Sequence, residues 1–566
     1  MDSRLLIVVM LSVGLIFAYQ ELVLKRLYPT TQQSEQAKPG AAPTAAGASP
    51  TTTHGAAANG AAASAGAKGA VAPSVTSSSL VAATTAPVRT IEVDTRLYDA
   101  LLTTRGGRLT SMLLKDYRAS AAPGSPWYQM VPQEAGSTRP LGLVLNRGGT
   151  TLTDSTLDYT TDAPARIQAS AGHPAVVTFT AKARDGLEVT KRLVFDDNSY
   201  VFALDTAVTG ADASVAQSGA SLSAALVEEN TGYRDFPELQ AYVSGKALTE
   251  SQKKLEKGLI SVSGPIAYAG FGDRYFLSVY MPVQPQAGTL QMSYSDDQAH
   301  LRLLFDRTAH VKLAVYMGPK KLGILEAVNP ALPKAIDFGL LGVIALPLLR
   351  ALQFFYHVVP NYGVAIILLT IVVRLATLPM SIKGQRSMMR MQRLQPQVEK
   401  IREKFKGDQE RLNREMVDLY KRNHVNPLGG CLPMVIQLPI LYGLYEAFLN
   451  AFELRQAPFI FWIRDLSAPD CLVIHGMPAI PMTDLHGIPV LVILLAATSF
   501  LQQWLSPKQP DPNQQKMMMY MPLFFSLIFV SLPAGLTLYY LSSNLLGILQ
   551  QVFLNYEFKQ MPPATT

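Results

Sequence analysis

Two cysteines among 566 residues are too few for a disulfide scaffold. Cys431 opens an apolar stretch and Cys471 lies in a separate polar loop, so a bridge would need both on one side of a membrane. The eight histidines show no ligand spacing, and no Walker A, GxGxxG or HExxH pattern occurs, so nothing points to an ATPase or a metal enzyme and no cofactor is expected. Charge is sparse as well. Charged residues make up 16% of the chain against 48% apolar, with a positive mean hydropathy, and such a chain is too apolar to be wholly soluble. Within the apolar runs acidic residues are scarcest, Glu446 being the clearest. That scarcity gives weight to Arg374, which sits inside Val364–Met380, a run otherwise apolar apart from threonines. A guanidinium cannot shed its proton, and near a bilayer centre it costs roughly 3 kcal/mol. A water-filled recess in a membrane bundle would hydrate it and make it a functional residue. The competing reading is snorkelling, because Met380 is only six residues on, about 9 Å along a helix.

The runs Leu5–Leu24, Tyr362–Met380, Leu432–Phe452, Ile488–Leu505, Met517–Leu532 and Leu536–Leu554 predict six spans, with a tight turn at Pro533–Gly535 before the last. The first reads as an uncleaved anchor over residues 1–25, since no small-x-small cleavage pattern follows it. Residues 26–88 are rich in Ala, Ser, Thr, Pro and Gly and read as a flexible linker. From 89 to 330, alternating runs such as Val177–Ala181, Leu193–Phe195 and Tyr200–Thr206 predict a soluble β-rich domain, best matched by one large sandwich.

Between Lys383 and Arg422 twelve Lys or Arg face six Asp or Glu, which assigns this loop to the cytoplasm. Six spans then put both termini in the cytoplasm and the β domain on the far side. Residues 331–360 are apolar but contain Pro347, Arg350 and His357, and read as an interfacial amphipathic helix. Met391, Leu394, Val398, Ile401 and Phe405, a break at Gly407–Asp408, then Leu412, Met416 and Leu419 predict a helical hairpin over 383–424. Its basic faces suit solvent or anionic lipid, or contact with ribosomal RNA or a partner; no sequence-specific nucleic acid is implied.

Several blocks then accumulate: Asn426-Pro427-Leu428-Gly429-Gly430-Cys431, Gln437-Leu438-Pro439-Ile440, Glu453-Leu454-Arg455-Gln456-Ala457-Pro458-Phe459, Trp462-Ile463-Arg464-Asp465-Leu466-Ser467, and Pro533-Ala534-Gly535-Leu536 with Tyr539-Tyr540. Together they resemble the YidC-type membrane protein insertases over about Asn361–Asn555, and Thr104-Arg105-Gly106-Gly107 is similar to the start of the periplasmic domain of their Gram-negative branch. The resemblance implies a non-enzymatic insertase and chaperone of the bacterial inner membrane. Its fold would be a polytopic α-helical membrane protein with six spans, a five-helix core at 361–555, a periplasmic β-sandwich and a cytoplasmic hairpin. Arg374 takes the place of the family's groove arginine, with Thr370, Gln437 and Tyr540 keeping that groove polar. Leu438, Leu441, Phe525 and Phe529 would form the hydrophobic slide along which a client leaves into lipid. Implied partners are nascent membrane proteins, membrane lipids, the Sec translocon (SecYEG with SecDF) and the ribosome. The tail, residues 556–566, has one lysine, Lys559, so ribosome contact would rest on the hairpin and the loop Ser506–Lys516. A different class, a small-solute or anion transporter binding its substrate at Arg374, would be expected to show inverted repeats or broken spans, and neither is visible. A third class makes the β domain the binding module on a bare anchor, which needs no intramembrane arginine.

Overall fold

The structure, a computed structural model, describes residues 77–560 apart from 84–85, 132, 134–138, 148–149, 211–214, 226–237, 251, 285, 296–297, 307, 340, 424, 426–431, 475–485 and 507–511. The expected anchor at 1–25, most of the linker, the block Asn426–Cys431 and the end of the tail lie outside the described residues.

Strand alternation read from the sequence is realised across two sheets. In a fourteen-stranded sheet Ala175–Lys182, Glu188–Phe195 and Val201–Thr209 lie side by side, and their register aligns Val177, Leu193, Leu204 and, on the next strand, Leu313 in one buried row. A side-chain period of two turns that row inward and leaves the intervening residues to solvent. A five-stranded sheet built on Thr90–Asp94, Tyr98–Thr103 and Arg108–Arg118 sends Ile91, Val93, Leu102 and Leu114 into the same cluster, so the two sheets form a β-sandwich. The stretch read as linker up to residue 88 is not all unpaired. Ser77–Ser79 pairs in parallel with Thr151–Thr153, Leu80 is buried, and Ala82 bridges Ala183. Composition hides this because the ladder bonds are made by backbone groups and one leucine supplies the anchor.

The Thr104–Gly107 block has a structural reason. Gly106 and Gly107 both adopt positive φ, and the turn they make presents the Gly106 carbonyl to Lys191 Nζ at 2.8 Å. Lys191 also donates to the Leu141 carbonyl at 2.7 Å and pairs with Asp154, which Arg108 reaches at 2.8 Å. Tyr159 and the Leu143 backbone N–H complete the carboxylate's bonds.

Helices follow the sandwich. Helix α1, Gly342–Val358, buries Ala345, Leu349 and Leu352 and turns Val343, Arg350 and Phe354 outward, as an amphipathic connector should. Helix α2, Tyr362–Arg393, is capped by the Asn361 side chain and is the one described helix long and apolar enough to cross a membrane by the test of length and composition. It does not stop at Met380. Lys, Arg, Gln and Met are good helix formers, so the change from apolar to basic residues does not end the helix.

Residues 397–425 belong to a separate unit. Helices α3, Gln395–Lys404, and α4, Gln409–Arg422, are divided at the expected place, where Gly407 has φ 109° and Asp408 accepts from the Arg411 backbone N–H at 3.0 Å.

Four more helices fall on the other predicted spans: α5, Leu432–Asn450, α6, Val490–Leu505, α7, Pro512–Ile528, and α8, Ala534–Gln560. They match the predicted spans unequally. The sixteen residues of α6 rise about 24 Å, less than the roughly 30 Å hydrocarbon core. Helix α7 begins in polar residues and yields to a 3-10 turn at Phe529–Ser531. An apolar run therefore overstates the length of continuous helix where a proline, here Pro533, forces an early end.

Candidate functional site

The polar features of the bundle converge on α8, where serine, asparagine and glutamine interrupt an apolar helix at seven-residue steps. Ser543, Gln550 and Glu557 form one column facing α2. The Arg374 Nε donates to Ser543 Oγ at 2.8 Å, and its terminal nitrogen donates to the Ser543 carbonyl at 2.7 Å. Gln550 Nε2 donates to Ser381 Oγ at 3.0 Å and to Gln385 Oε1 at 3.1 Å, and Glu557 pairs with Arg386 at 2.8 Å. The adjacent column faces α6, with Asn544 donating to Ser499 Oγ at 2.7 Å and Asn555 to the Leu505 carbonyl at 3.1 Å. Among the described residues no carboxylate pairs with Arg374. Gly547 leaves its guanidinium room, since a Cβ there would lie 3.2 Å from it and 2.8 Å from Gln502 Nε2.

The other predicted polar residues are placed less uniformly. Thr370, one turn before Arg374, is fully buried and its hydroxyl donates to the Ile366 carbonyl of its own helix at 2.7 Å. Gln437 Nε2 reaches the hydroxyl of Tyr539 at 3.5 Å, and Tyr540 sets its ring against Phe529 at 5.1 Å. Both phenols lie within electrostatic reach of Arg374. Of the slide residues, Leu438 and Phe525 are exposed, Leu441 is half-buried and Phe529 is buried against the bundle. Sequence reasoning missed Ser543, Asn544, Gly547 and Gln550. The seven-residue step from Ser543 to Gln550 within an apolar run was the signal that could have found this polar column.

Glu446 is buried; its carboxylate accepts from Asn450 Nδ2 at 3.3 Å, and it faces the segment at Gly339 that leads into α1. Cys471 carries a free, half-buried thiol.

A loop seals the end of the bundle from which α2 and α8 start. Ala534 and Gly535 donate their N–H groups to the Ala468 and Leu466 carbonyls at 2.7 and 2.9 Å, while Leu454, Ala457, Ile463 and Leu466 join the core formed with Ile366 and Leu536. Asp470 accepts from Trp462 Nε1 at 2.8 Å and from the Leu491 N–H at 2.6 Å in the first turn of α6. The same loop reaches the sandwich. Phe452 sits edge-on to Tyr117 at 5.2 Å and Phe276 at 5.5 Å, and Arg455 donates to the Arg118 carbonyl at 2.8 Å.

Two family patterns divide the chain: the YidC periplasmic domain matches residues 90–351, and the 60Kd inner membrane protein matches residues 354–561. A membrane protein insertase YidC of Citrifermentans bemidjiense is 34% identical over 574 residues, covering 98% of this chain and 99% of the relative. That of Syntrophobacter fumaroxidans is 34% identical over 481 residues, covering 82% and 85%. Among solved structures, an active YidC insertase crystal structure with the first transmembrane domain resolved aligns over 84% of this chain and 95% of its own, at 19% identity and a TM-score of 0.36. At 34% identity over nearly the whole length of the Citrifermentans relative, and with both family patterns matched, the chain belongs to the YidC family of membrane protein insertases, inner-membrane proteins with a periplasmic β domain.

Proposed function

We propose that this insertase receives the polar tail of a nascent membrane protein in a recess centred on Arg374 and releases the apolar segment sideways into lipid. One observation carries the reading. Among the described residues, a permanent cation on the long apolar helix is hydrogen-bonded to one serine and no carboxylate neutralises it. Such a charge attracts an acidic client residue and, hydrated, shortens the apolar path the tail must cross. Insertion of the apolar segment is itself downhill, so no ATP is required.

In this reading the recess is lined by Arg374, Thr370, Gln437 and Tyr540, and opens to the cytoplasm and to lipid. Thr370 is buried in the structure, so it would contribute only when the helices part. The exit runs past Leu438, Leu441, Phe525 and Phe529, of which Phe529 would likewise have to be uncovered. Support for closure on the periplasmic side comes from the loop bonded to the start of α8. The wider arrangement has six spans, both termini in the cytoplasm, and α3 and α4 there as a basic hairpin. Its Lys and Arg residues suit a ribosome or anionic lipid, and cooperation with the Sec translocon belongs to the same reading.

The test compares clients with acidic and neutral tails in membranes containing the full-length protein. Arg374→Ala should lower insertion of the acidic-tail client about tenfold, equivalent to ~1.4 kcal/mol, while Arg374→Lys retains most of it. Equal insertion of both clients by the Ala variant removes the electrostatic role.

A further inference from the structure

The loop that seals the periplasmic end carries two non-glycine residues in the left-handed region, Gln456 at φ 56° and the bulkier Phe461. In the turn Phe459–Ile463 the Phe459 N–H donates to the Ile463 carbonyl at 3.0 Å and the Ile463 N–H returns to the Ile460 carbonyl at 3.2 Å. Its third residue, Phe461, adopts φ 54°, a left-handed conformation that suits glycine or asparagine and is a steric outlier for a bulky side chain. Burial does not compensate the strain, because Phe461 is 85% exposed and Ile460 beside it is 48% exposed. Among the described residues the phenyl ring stacks on Trp462 alone, at 6.0 Å, whose own nitrogen is fixed to Asp470. A residue placed against its backbone preference and without a core to fill gains its energy elsewhere.

The position of the turn says where. Phe459 packs so closely on the first turn of α2 that a Cβ on Gly363 would lie 2.0 Å from its ring, so the tip stands at the level where the apolar helix begins. On the neighbouring α1, Tyr356 stacks on Tyr362 of α2 at 3.9 Å, and the same helix exposes Phe354 and Val358. Exposed Arg464 follows the tip. Aromatic rings with a nearby cation, at the end of an apolar helix, suit the headgroup region of a bilayer.

We propose that the turn Phe459–Ile463 anchors the insertase in the outer leaflet, with Phe461 and Ile460 inserted between lipid headgroups and the first acyl carbons. The anchor fixes the depth of the seal over α8 independently of the client site. The test uses the full-length protein in lipid vesicles with Cys431→Ser and Cys471→Ser, labelled with an environment-sensitive fluorophore at Ile460→Cys. Lys182→Cys on the sandwich and Leu375→Cys on α2 serve as aqueous and hydrocarbon references. Lipid carrying a nitroxide near the headgroup should quench the label at 460, iodide should not, and Phe461→Asn should reverse the two. Quenching by iodide without that substitution overturns the proposal. So does protection from both quenchers, which would mean that protein covers the turn. An unchanged pattern in Phe461→Asn removes Phe461 from the role.

Discussion

At the scale of single residues, the buried ions of the sandwich set a different problem from Arg374. Arg108 and Lys191 share one carboxylate, Asp154, and all three are nearly withdrawn from water. Burial pulls the Lys191 amine down to about 8, whereas the two cations hold the Asp154 carboxyl below its ordinary value despite a burial effect that opposes them. Removing the anion leaves two buried cations uncompensated; removing the lysine leaves a neutral Arg108–Asp154 pair and two carbonyls without a donor. Asp154→Asn should therefore cost about 3–5 kcal/mol, and Lys191→Met less, about 1–3 kcal/mol, measured by denaturant unfolding of the sandwich. The pH dependence has a definite sign. A carboxyl with a lowered folded pKa stabilises fully above its unfolded value of 3.8, and that contribution is lost as pH falls through the folded value. Acid unfolding should accordingly be less steep in Asp154→Asn. None of the three ions was visible in the sequence; only Gly106 and Gly107, whose turn offers Lys191 a carbonyl, were, as part of a family block. Three ions far apart in the chain give no local pattern.

At the scale of elements, periodicity located the helices and misjudged their ends. The break before α4 was legible because Gly407 and Asp408 have backbone roles that few other residues fill. The end of α2 was not, because basic residues continue a helix as well as apolar ones do. Arg374 was found by its charge, whereas its partners on α8 are small neutral residues whose meaning lies in their spacing. That spacing makes α8 a test of helix packing. At Gly547 the nearest atom to an added Cβ is the end of a flexible glutamine, so Gly547→Ala should be nearly neutral. Gly547→Leu must displace Gln502 and crowd the guanidinium of Arg374, at about 1–3 kcal/mol. Melting of the two variants in detergent should separate them by several degrees, and equal melting points would show that α8 is not held close to α2 and α6.

At the scale of the whole molecule, the loop after α5 carries a packing residue of the sandwich core. Phe452 joins the cluster that contains Tyr117 and Phe276, although it directly follows the helix that holds Gln437 and Leu441. Arg455 adds bonds to the Arg118 and Ala119 carbonyls and lies over the ring of Phe276 at 5.1 Å. The block Glu453–Phe459 thus acts as a clamp, which its recognition as a family block did not disclose, since its partners are some 180 to 340 residues earlier in the chain. A clamp of this kind joins two elements mechanically, and in the proposed mechanism the sandwich lies off the client's path. Deletion of residues 89–330 should accordingly leave insertion within about twofold, while exposing Phe452 and lowering the melting point of the bundle. In the full chain Phe452→Ala should cost about 3–5 kcal/mol and divide a shared calorimetric transition into two. Adding Phe452→Ser to the deletion should recover part of the lost solubility, because an aromatic ring without its pocket is an exposed apolar patch. If the deletion instead abolishes insertion while the bundle remains folded, the sandwich does more than pack against the loop, and the clamp must transmit something the client needs.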